Sequence, residues 1–256
     1  MAWRALALLV ILGGCKAQLY DASRVDARPS GNSGDSGAVV GDDDASVAPP
    51  DGPKCFNGRV VYLNFDGVTL TKNATTDATA NTASWIGVTT ANVPPYHNGQ
   101  TNRATDITNI TTRVTQILST LPVTVVTARP AAGPYVMIVF GGSSQTVGSV
   151  YAGSTSDHDC GDLIKSDVGW VSDSSPTGKA GDTAVGAIGW ALGLQGTNNP
   201  GDCMCEWANN CIQDNDTACA LSTTNIATTN SQSPSITCPG ENPQNETAAF
   251  TTAFCD

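Results

Sequence analysis

The pattern of apolar positions predicts a buried strand followed by an amphipathic helix in the first third of the folded region. Val60 to Phe65 reads VVYLNF and stops at Asp66-Gly67, which is typical of a strand that ends in a turn. Between Ala104 and Leu121 the apolar residues recur at helical spacing, and Thr105 or Asp106 can cap the start of this helix. We therefore expect the helix to pack its apolar face on a sheet.

Further apolar runs continue the alternation of strands and helices. The predicted strands are Val123 to Thr127, Val136 to Phe140 and the weaker Val168 to Val171. The Asn/Thr-rich stretch from Thr71 to Thr82 reads as a loop, and Pro94-Pro95 ends whatever precedes it. The order strand, helix, strand, strand, strand, helix predicts an α/β fold with a sheet packed by helices.

The last helices and the ends of the chain define its domains. Thr183 to Leu194 predicts a Gly- and Ala-rich apolar helix, and Thr247 to Phe254 a short final one. Residues 54–256 suffice for one domain with a substantial core. Lys16 to Pro53 is rich in Asp, Ser, Gly and Pro and lacks apolar periodicity, so we expect a disordered tether. A calcium site at its acidic run, Asp42 to Asp44, is a weaker alternative because the spaced ligands of known loops are absent.

Charge and cysteine content exclude several classes of protein. The chain has 12 basic and 23 acidic side chains in 256 residues and a formal net charge of -11, which disfavours nucleic acid as a partner. Nine cysteines are unusual in a reducing cytosol, so an exported, oxidised protein is the better interpretation. Because nine is odd, one cysteine requires a separate role.

The first residues predict that role. Met1 to Arg4 is basic, Ala5 to Leu12 is apolar and too short to span a bilayer, and small residues then lead to Cys15. This pattern resembles a bacterial lipoprotein signal, which implies removal of residues 1–14 and acylation of Cys15 at the start of the 15–53 tether. An ordinary signal peptide is the alternative. By the same resemblance, Lys16 after the cysteine implies the outer membrane of a Gram-negative cell envelope.

The remaining eight cysteines are disulfide candidates, although eight cysteines allow 105 pairings in principle. Neighbours two apart in an extended segment point to opposite faces, so Cys203 and Cys205 are expected to bond to different partners. From Glu206 onward we expect a loop-rich C-terminal part stapled by disulfides, whose terminus is held by its last cysteine. The candidates are Cys55, Cys160, Cys203, Cys205, Cys211, Cys219, Cys238 and Cys255.

The helix predicted around residue 190 resembles the zinc helix of metzincin metallopeptidases, closest to the matrixin type. Their signature HExxHxxGxxH often reads HEIGHALGLxH. This chain keeps Ile188 and Gly189 of that frame, and Ala191 to Leu194, with Gly193 at the glycine that ends the helix. Met204 lies eight residues past the third-ligand position, as in a matrixin Met-turn. The resemblance implies a zincin-like mixed sheet packed by helices, with a zinc-helix remnant at 183–196.

The residues that the zinc chemistry requires are missing from this frame. The resemblance places Gly186 and Trp190 at the first two ligands, Ala187 at the general base and Gly196 at the third ligand. Gly and Ala offer no donor atom, and an indole nitrogen only donates a hydrogen bond. We therefore expect no catalytic residue, metal or cofactor, although zinc is the family's cofactor. Trp190 is hypothesised to fill the former metal cleft. The alternative is that this is simply a buried small-residue helix.

Other candidate sites carry weaker signals. Asp157 to Asp162 crowds His158 among carboxylates, which suggests either a metal loop or, more simply, a turn tied down at Cys160. Asp182 and Asp202 flank the zinc-like helix as isolated carboxylates. The only other histidine is His97. No serine-hydrolase elbow, P-loop or dinucleotide motif occurs in the sequence.

These observations predict a surface-anchored lipoprotein with a degenerate, matrixin-like peptidase domain. Its expected partners are the membrane, through the lipid on Cys15, and a peptide or protein held in the degenerate cleft by β-augmentation. One alternative is an active peptidase that uses an unrecognised site. A further alternative is a structural envelope module.

Overall fold

The structure is a computed structural model that describes residues 55, 58–175, 177–205, 211, 217–229, 238 and 242–255. The predicted signal at 1–14, Cys15 and the tether at 15–53 lie outside these residues. None of the helices in the described ranges combines the length and apolar character needed to cross a bilayer.

A five-stranded sheet forms the centre of the domain, in the order β5-β1-β6-β8-β7. The first four strands run parallel, whereas β7 at one edge is antiparallel to β8. The strands of this sheet are β1 (Arg59–Asn64), β5 (Val123–Val126), β6 (Tyr135–Phe140), β7 (Ser154–Ser156) and β8 (Val168–Val171).

The central strand β6 is buried on both faces, which explains its continuous apolar run YVMIVF. Val136, Ile138 and Phe140 face the core beneath α1 (Arg103–Ile117) and α3 (Thr177–Ala191). The alternate residues, Tyr135 among them, face a second core on the opposite side of the sheet. Because successive side chains of a strand point to opposite faces, β6 contributes to two separate cores, one on each side of the sheet.

A small sheet and two short helices complete the fold. The small sheet has the order β3-β2-β4 and covers the second core. Helix α4 brings Phe250 and Phe254 into the first core. The elements are β2 (Val68–Lys72), β3 (Thr82–Ala83), β4 (Thr90–Val93), α2 (Ser144–Val147) and α4 (Glu246–Cys255).

The eight predicted cysteines form four disulfides, and the Cα atoms of each pair lie 4.9 to 5.8 Å apart. The prediction that Cys203 and Cys205 bond to different partners is confirmed. The bond to the last cysteine ties the C-terminal helix to the residues just before β1. The pairs are Cys55–Cys255, Cys160–Cys238, Cys203–Cys219 and Cys205–Cys211.

The predicted α/β class and the main strands are confirmed, but several local predictions were wrong. Helix α1 begins at Arg103, so its N-cap is Asn102, which makes no side-chain cap hydrogen bond, and the predicted caps Thr105 and Asp106 lie inside the helix. The Asp106 carboxylate lies 2.8 Å from Nδ1 of His97. Helix α3 begins at Thr177, so Asp182 lies inside it rather than beside it. Part of the loop predicted at 71–82 belongs to β2 and β3.

Candidate binding cleft

A cavity of about 820 Å³ opens along the outer side of strand β7. Its floor is helix α3, which contributes Gly186, Ala187 and Trp190. Strand β7 forms one wall, and the turn that carries Met204 forms the opposite wall. Three of the four positions that the resemblance assigned to zinc chemistry thus lie together in one cleft. The fourth, Gly196, is buried, and its carbonyl accepts the Thr229 N–H at 2.7 Å.

Glycines allow the Met204 turn to lie directly on helix α3. A Cβ atom added at Gly186 would lie 2.8 Å from the Cys203 carbonyl oxygen, and one at Gly189 would lie 2.3 Å from the Met204 sulfur. Both distances are below van der Waals contact, so larger residues at these positions would push the turn away. The turn itself is held by the Met204 N–H, which donates to Asp202 at 2.7 Å. The glycine spacing of this helix is therefore a packing requirement.

The same contacts decide whether zinc fits the cleft. Gly186, Ala187 and Trp190 present no atom that can ligate a metal. Position 186 also has no room for an imidazole, because the Cys203 carbonyl occupies the space of its first carbon. These three positions therefore do not fit the zinc ion of the resembled family.

Replacing these two glycines by alanine tests the packing. Gly186→Ala is expected to lower the free energy of unfolding by about 1 to 3 kcal/mol, because its new methyl group meets rigid backbone. Gly189→Ala is the matched control with a smaller loss, since the flexible end of Met204 can move aside. Chemical denaturation of both variants measures the difference. Equal or stabilising effects would contradict the close approach, because alanine favours an unconstrained helix by about 1 kcal/mol.

Strand β7 presents hydrogen-bonding backbone to the cleft. The Ser172 N–H donates to the Gly153 carbonyl at 2.8 Å. In an antiparallel ladder, hydrogen-bonded pairs alternate with non-hydrogen-bonded pairs, so Gly153–Ser172 and Thr155–Trp170 are the pairs whose backbone groups point at each other. The alternate residues, Ser154 and Ser156, then point their N–H and C=O groups outward. Within the described residues these two strand positions have no further backbone hydrogen bond. The wall of the cleft is thus an open strand edge.

The rim above the cleft is anchored yet partly apolar. Val150 is 91% exposed and lines the cavity, as does Trp85, whose indole N–H donates to the Val168 carbonyl at 2.7 Å. Asp157 is fixed by hydrogen bonds from the hydroxyl groups of Thr76 and Ser84, which lie in the segments just before and after β3. The rim therefore offers the exposed apolar side chain of Val150 next to two residues, Trp85 and Asp157, that hydrogen bonds hold in place.

Trp190 lines the cleft rather than filling it. The side chain is only partly buried, and the cavity remains open beside it. Its ring contacts His158 edge to face, with centroids 4.6 Å apart. Because burial is partial, Trp190→Ala is expected to cost less than the roughly 3 to 5 kcal/mol typical of a fully buried tryptophan. The hypothesis that this indole fills the cleft is therefore replaced by one in which it forms a contact surface.

The two histidines occupy separate surroundings. His158 lines the cleft, where its Nε2 atom lies 3.1 Å from the Leu194 carbonyl, and burial lowers the pKa of its imidazole. His97 lies at the start of α1 beside Asp106, and its backbone N–H donates to Asp173. The structure does not bring the two imidazoles together.

Two buried charged side chains of helix α3, Lys179 and Asp182, also line the cleft. Asp182 is 5% exposed, lies 3.3 Å from the Lys179 ammonium and 3.5 Å from the Arg113 guanidinium, and lines the cavity with Lys179. Burial raises the pKa of Asp182, and the two cations oppose that rise. Lys179 could not be predicted as a cleft residue, because a single lysine in a glycine-rich segment belongs to no recognisable sequence motif.

A second buried acid pair supports the Met204 turn. Asp202 lines the cleft and shares a hydrogen bond with Glu246, which is 0% exposed at the start of α4. Burial, and next the charge of Asp202, raise the pKa of Glu246 to about 8. Burial also raises the pKa of Asp202. Asp202 was singled out from the sequence, whereas Glu246 lies 44 residues further along and only the fold pairs the two.

The chain matches no model of a known protein family, and no curated protein is significantly similar to it.

Proposed function

We propose that this chain is a surface-anchored lipoprotein whose domain is a degenerate, matrixin-like pseudopeptidase that binds an extended peptide. The observation that carries the proposal is the open edge of β7 beside the cleft at Gly186, Ala187 and Trp190. An open edge can pair with an added strand through main-chain hydrogen bonds.

The matrixin-like part of the proposal is supported by how the elements meet. A mostly parallel sheet ends in one antiparallel edge strand, and helix α3 packs against β8 and β7. The chain turns after this helix at Gly193, whose φ of +86° favours glycine. Met204 then returns beneath the helix. The turn at Gly193 and the position of Met204 support the comparison with a zinc helix and a Met-turn, although the ligand positions carry no donor side chain.

The peptide-binding part is supported by the shape and chemistry of the cleft. Its volume of about 820 Å³ lies within the range of small-molecule and peptide pockets. Backbone groups at Ser154 and Ser156 offer sequence-independent hydrogen bonds, while Trp190, Trp85 and Val150 offer apolar contacts. An extended segment with alternate apolar side chains fits both sets.

A peptide with selectively methylated backbone tests this mode of binding. A linear decapeptide selected from a displayed library on the oxidised full chain, carrying Cys15→Ser, is resynthesised with one N-methyl group at each position in turn. Every second methylation along the paired segment is expected to weaken binding about 3- to 10-fold, since each removes one main-chain hydrogen bond. Isothermal titration calorimetry measures the affinities.

A matched protein variant completes this test. Ser154→Pro removes an N–H that points away from the sheet, and edge strands tolerate proline at such positions. We expect this variant to bind the peptide more weakly and to keep the midpoint temperature of thermal unfolding. A flat N-methyl scan, unchanged affinity of Ser154→Pro, or no selectable peptide would overturn peptide pairing. Stoichiometric zinc in the oxidised protein with chelator-sensitive proteolysis would instead support an active peptidase.

The anchor is tested separately at its cysteine. Cys15→Ser is expected to abolish incorporation of labelled palmitate and to release the chain from the membrane fraction, because it removes the thiol at the proposed acylation position. Lys16→Asp should keep the label but shift the chain from outer- to inner-membrane fractions. Unchanged labelling of Cys15→Ser would contradict the lipoprotein assignment and favour an ordinary signal peptide.

A further inference from the structure

A cluster of His158, Cys160 and Cys238 lies beside the cleft, separate from the degenerate zinc positions. One potential ligand atom of each residue lies within 4.8 Å of the others. The Nδ1 atom of His158 is 3.5 Å from the Cys238 sulfur and 3.9 Å from the Cys160 sulfur. The two sulfurs are joined as a disulfide, which bridges 78 residues of sequence.

The hydrogen bond of His158 fixes which of its two ring nitrogens carries the free lone pair. A carbonyl oxygen can only accept, so the 3.1 Å contact with Leu194 requires a proton on Nε2. Nδ1 of the neutral ring is then an acceptor. The disulfide sulfurs that face it carry no hydrogen, so they cannot donate to it. Nδ1 therefore carries the free lone pair of this half-buried ring, and the Cys238 sulfur lies near both ring nitrogens, 3.5 Å from Nδ1 and 3.9 Å from Nε2.

The hydrogen bond from Nε2 to a backbone carbonyl is one that metal-ligating histidines also make. Such histidines usually donate the second ring N–H to a carbonyl or carboxylate, which fixes the ring and directs the free nitrogen at the metal. The Leu194 carbonyl plays that part here. The loop is held in place as well, since the Asp159 carboxylate accepts the Ile164 N–H and a Cβ at Gly193 would lie 2.7 Å from the Asp159 carbonyl.

We infer that reduction of the Cys160–Cys238 disulfide converts this cluster into a site for one thiophilic divalent cation, such as zinc, held by His158 and both thiolates. The reductant is a dithiol, which supplies two electrons and two protons and is itself oxidised to a disulfide. The cation then displaces both thiol protons. Two sulfurs and one imidazole suit zinc, and water supplies the fourth ligand.

The inferred site differs from the zinc site of the resembled family in its residues and in the redox state that it requires. It uses none of Gly186, Ala187, Trp190 and Gly196, and it exists only when the disulfide is open. The oxidised protein keeps the cleft as described, whereas the reduced, metal-bound protein has a cation next to the wall that His158 forms. Trp190, in contact with His158, reports on that change.

Cobalt is the probe for the test, because thiolate-bound Co²⁺ has a charge-transfer absorption band. The full chain with Cys15→Ser is reduced anaerobically with dithiothreitol, and alkylation with mass spectrometry shows which cysteines are free. We expect one equivalent of Co²⁺ to bind with this band and with quenching of tryptophan fluorescence. Zinc should displace the cobalt, and the oxidised chain should show no band.

Two histidine variants locate the site. His158→Ala should weaken Co²⁺ binding more than about tenfold, since it removes a ligand. His97→Ala, the matched control, should leave the affinity unchanged. An unchanged affinity of His158→Ala, or no band once Cys160 and Cys238 are shown to be free, would overturn the inference. A band that persists in the Cys160→Ser/Cys238→Ser double variant would overturn it as well.

A third variant removes the dependence on reductant, in case reduction unfolds the chain. Cys238→His places a second imidazole opposite Cys160, which prevents this disulfide and leaves the other three intact. It should bind one Co²⁺ without dithiothreitol, and adding His158→Ala should abolish that binding. Folded Cys238→His that binds no Co²⁺ would contradict the geometry. These outcomes do not depend on peptide binding by the oxidised cleft.

Discussion

Arg59→Met is expected to lower the free energy of unfolding by about 3 to 5 kcal/mol. Arg59 is 8% exposed on β1 and lies 2.6 Å from the Asp162 carboxylate. Its guanidinium also donates to the Asp167 carboxyl and to the carbonyls of Ile164 and Lys165. Methionine keeps the apolar stem but leaves these buried acceptors without their donor. The loop that carries His158 to the cleft would lose its main attachment to the sheet.

A second cation on the same acid provides the control. Lys165 lies 2.8 Å from Asp162, but its side chain is 38% exposed. Lys165→Met is therefore expected to cost less than about 1 kcal/mol, as exposed ion pairs do. Urea denaturation followed by circular dichroism measures both variants. A similar loss of unfolding free energy in the two variants would contradict the expectation that the buried ion pair of Arg59 stabilises the domain more than the exposed pair of Lys165.

The domain is expected to lose stability steadily as the pH rises from about 4.5 to about 8. Burial raises the pKa of Glu246 from its ordinary value of 4.5 to about 8, and it raises the pKa of Asp167 to about 8 as well. The folded state holds these protons in that window and the unfolded state releases them. Unfolding therefore releases protons, and each such group lowers stability by up to about 1.4 kcal/mol per pH unit.

Asp202→Asn identifies the acid pair as a source of this slope. An asparagine keeps an oxygen for the Met204 N–H, offers an N–H to Glu246 and removes the negative charge that raises the pKa of Glu246. We expect a flatter pH dependence and, at pH 8, a variant more stable than the unmodified chain. Asp66→Asn removes one charge at an exposed site and should leave the slope unchanged. A parallel slope in Asp202→Asn would rule out this pair as the cause.

The strands formed by continuous apolar residues could be predicted, because such a run indicates a strand that is buried on both faces. Tyr135–Phe140 and Val168–Val171 are buried on both faces, and short apolar runs rich in β-branched and aromatic residues between turn residues favour strands over helices. Cys203 and Cys205 do have different partners, but the extended segment assumed in that prediction is absent, because residues 201–205 form a turn with isolated bridges.

The elements that the sequence did not predict are polar and depend on tertiary contacts. Ser154–Ser156 has no apolar residue, so only pairing with β8 makes it a strand, yet it forms the cleft wall. The first turns of α3 read TGKAGD and carry no apolar face. They are helical because they pack against α1, where a Cβ at Gly181 would lie 2.7 Å from the Arg113 side chain.

The floor of the cleft was anticipated from the sequence, whereas its surroundings were not. The zinc-helix frame placed Gly186, Ala187 and Trp190 together, and they line one cavity. The frame carried no information on what replaces an imidazole. The carbonyl of Cys203 now occupies that space, and the indole of Trp190 lies against His158 from a distant loop. Such contacts join residues far apart in sequence, so no local pattern records them.

Amide hydrogen exchange during peptide binding tests the central claim most directly. With the selected decapeptide bound to the oxidised full chain, NMR is expected to show new protection at the Ser154 and Ser156 amides. The Thr155 amide, already paired with Trp170, should change little. Saturable peptide binding that leaves Ser154 and Ser156 exchanging as in the free protein would contradict a cleft that works by adding a strand to β7.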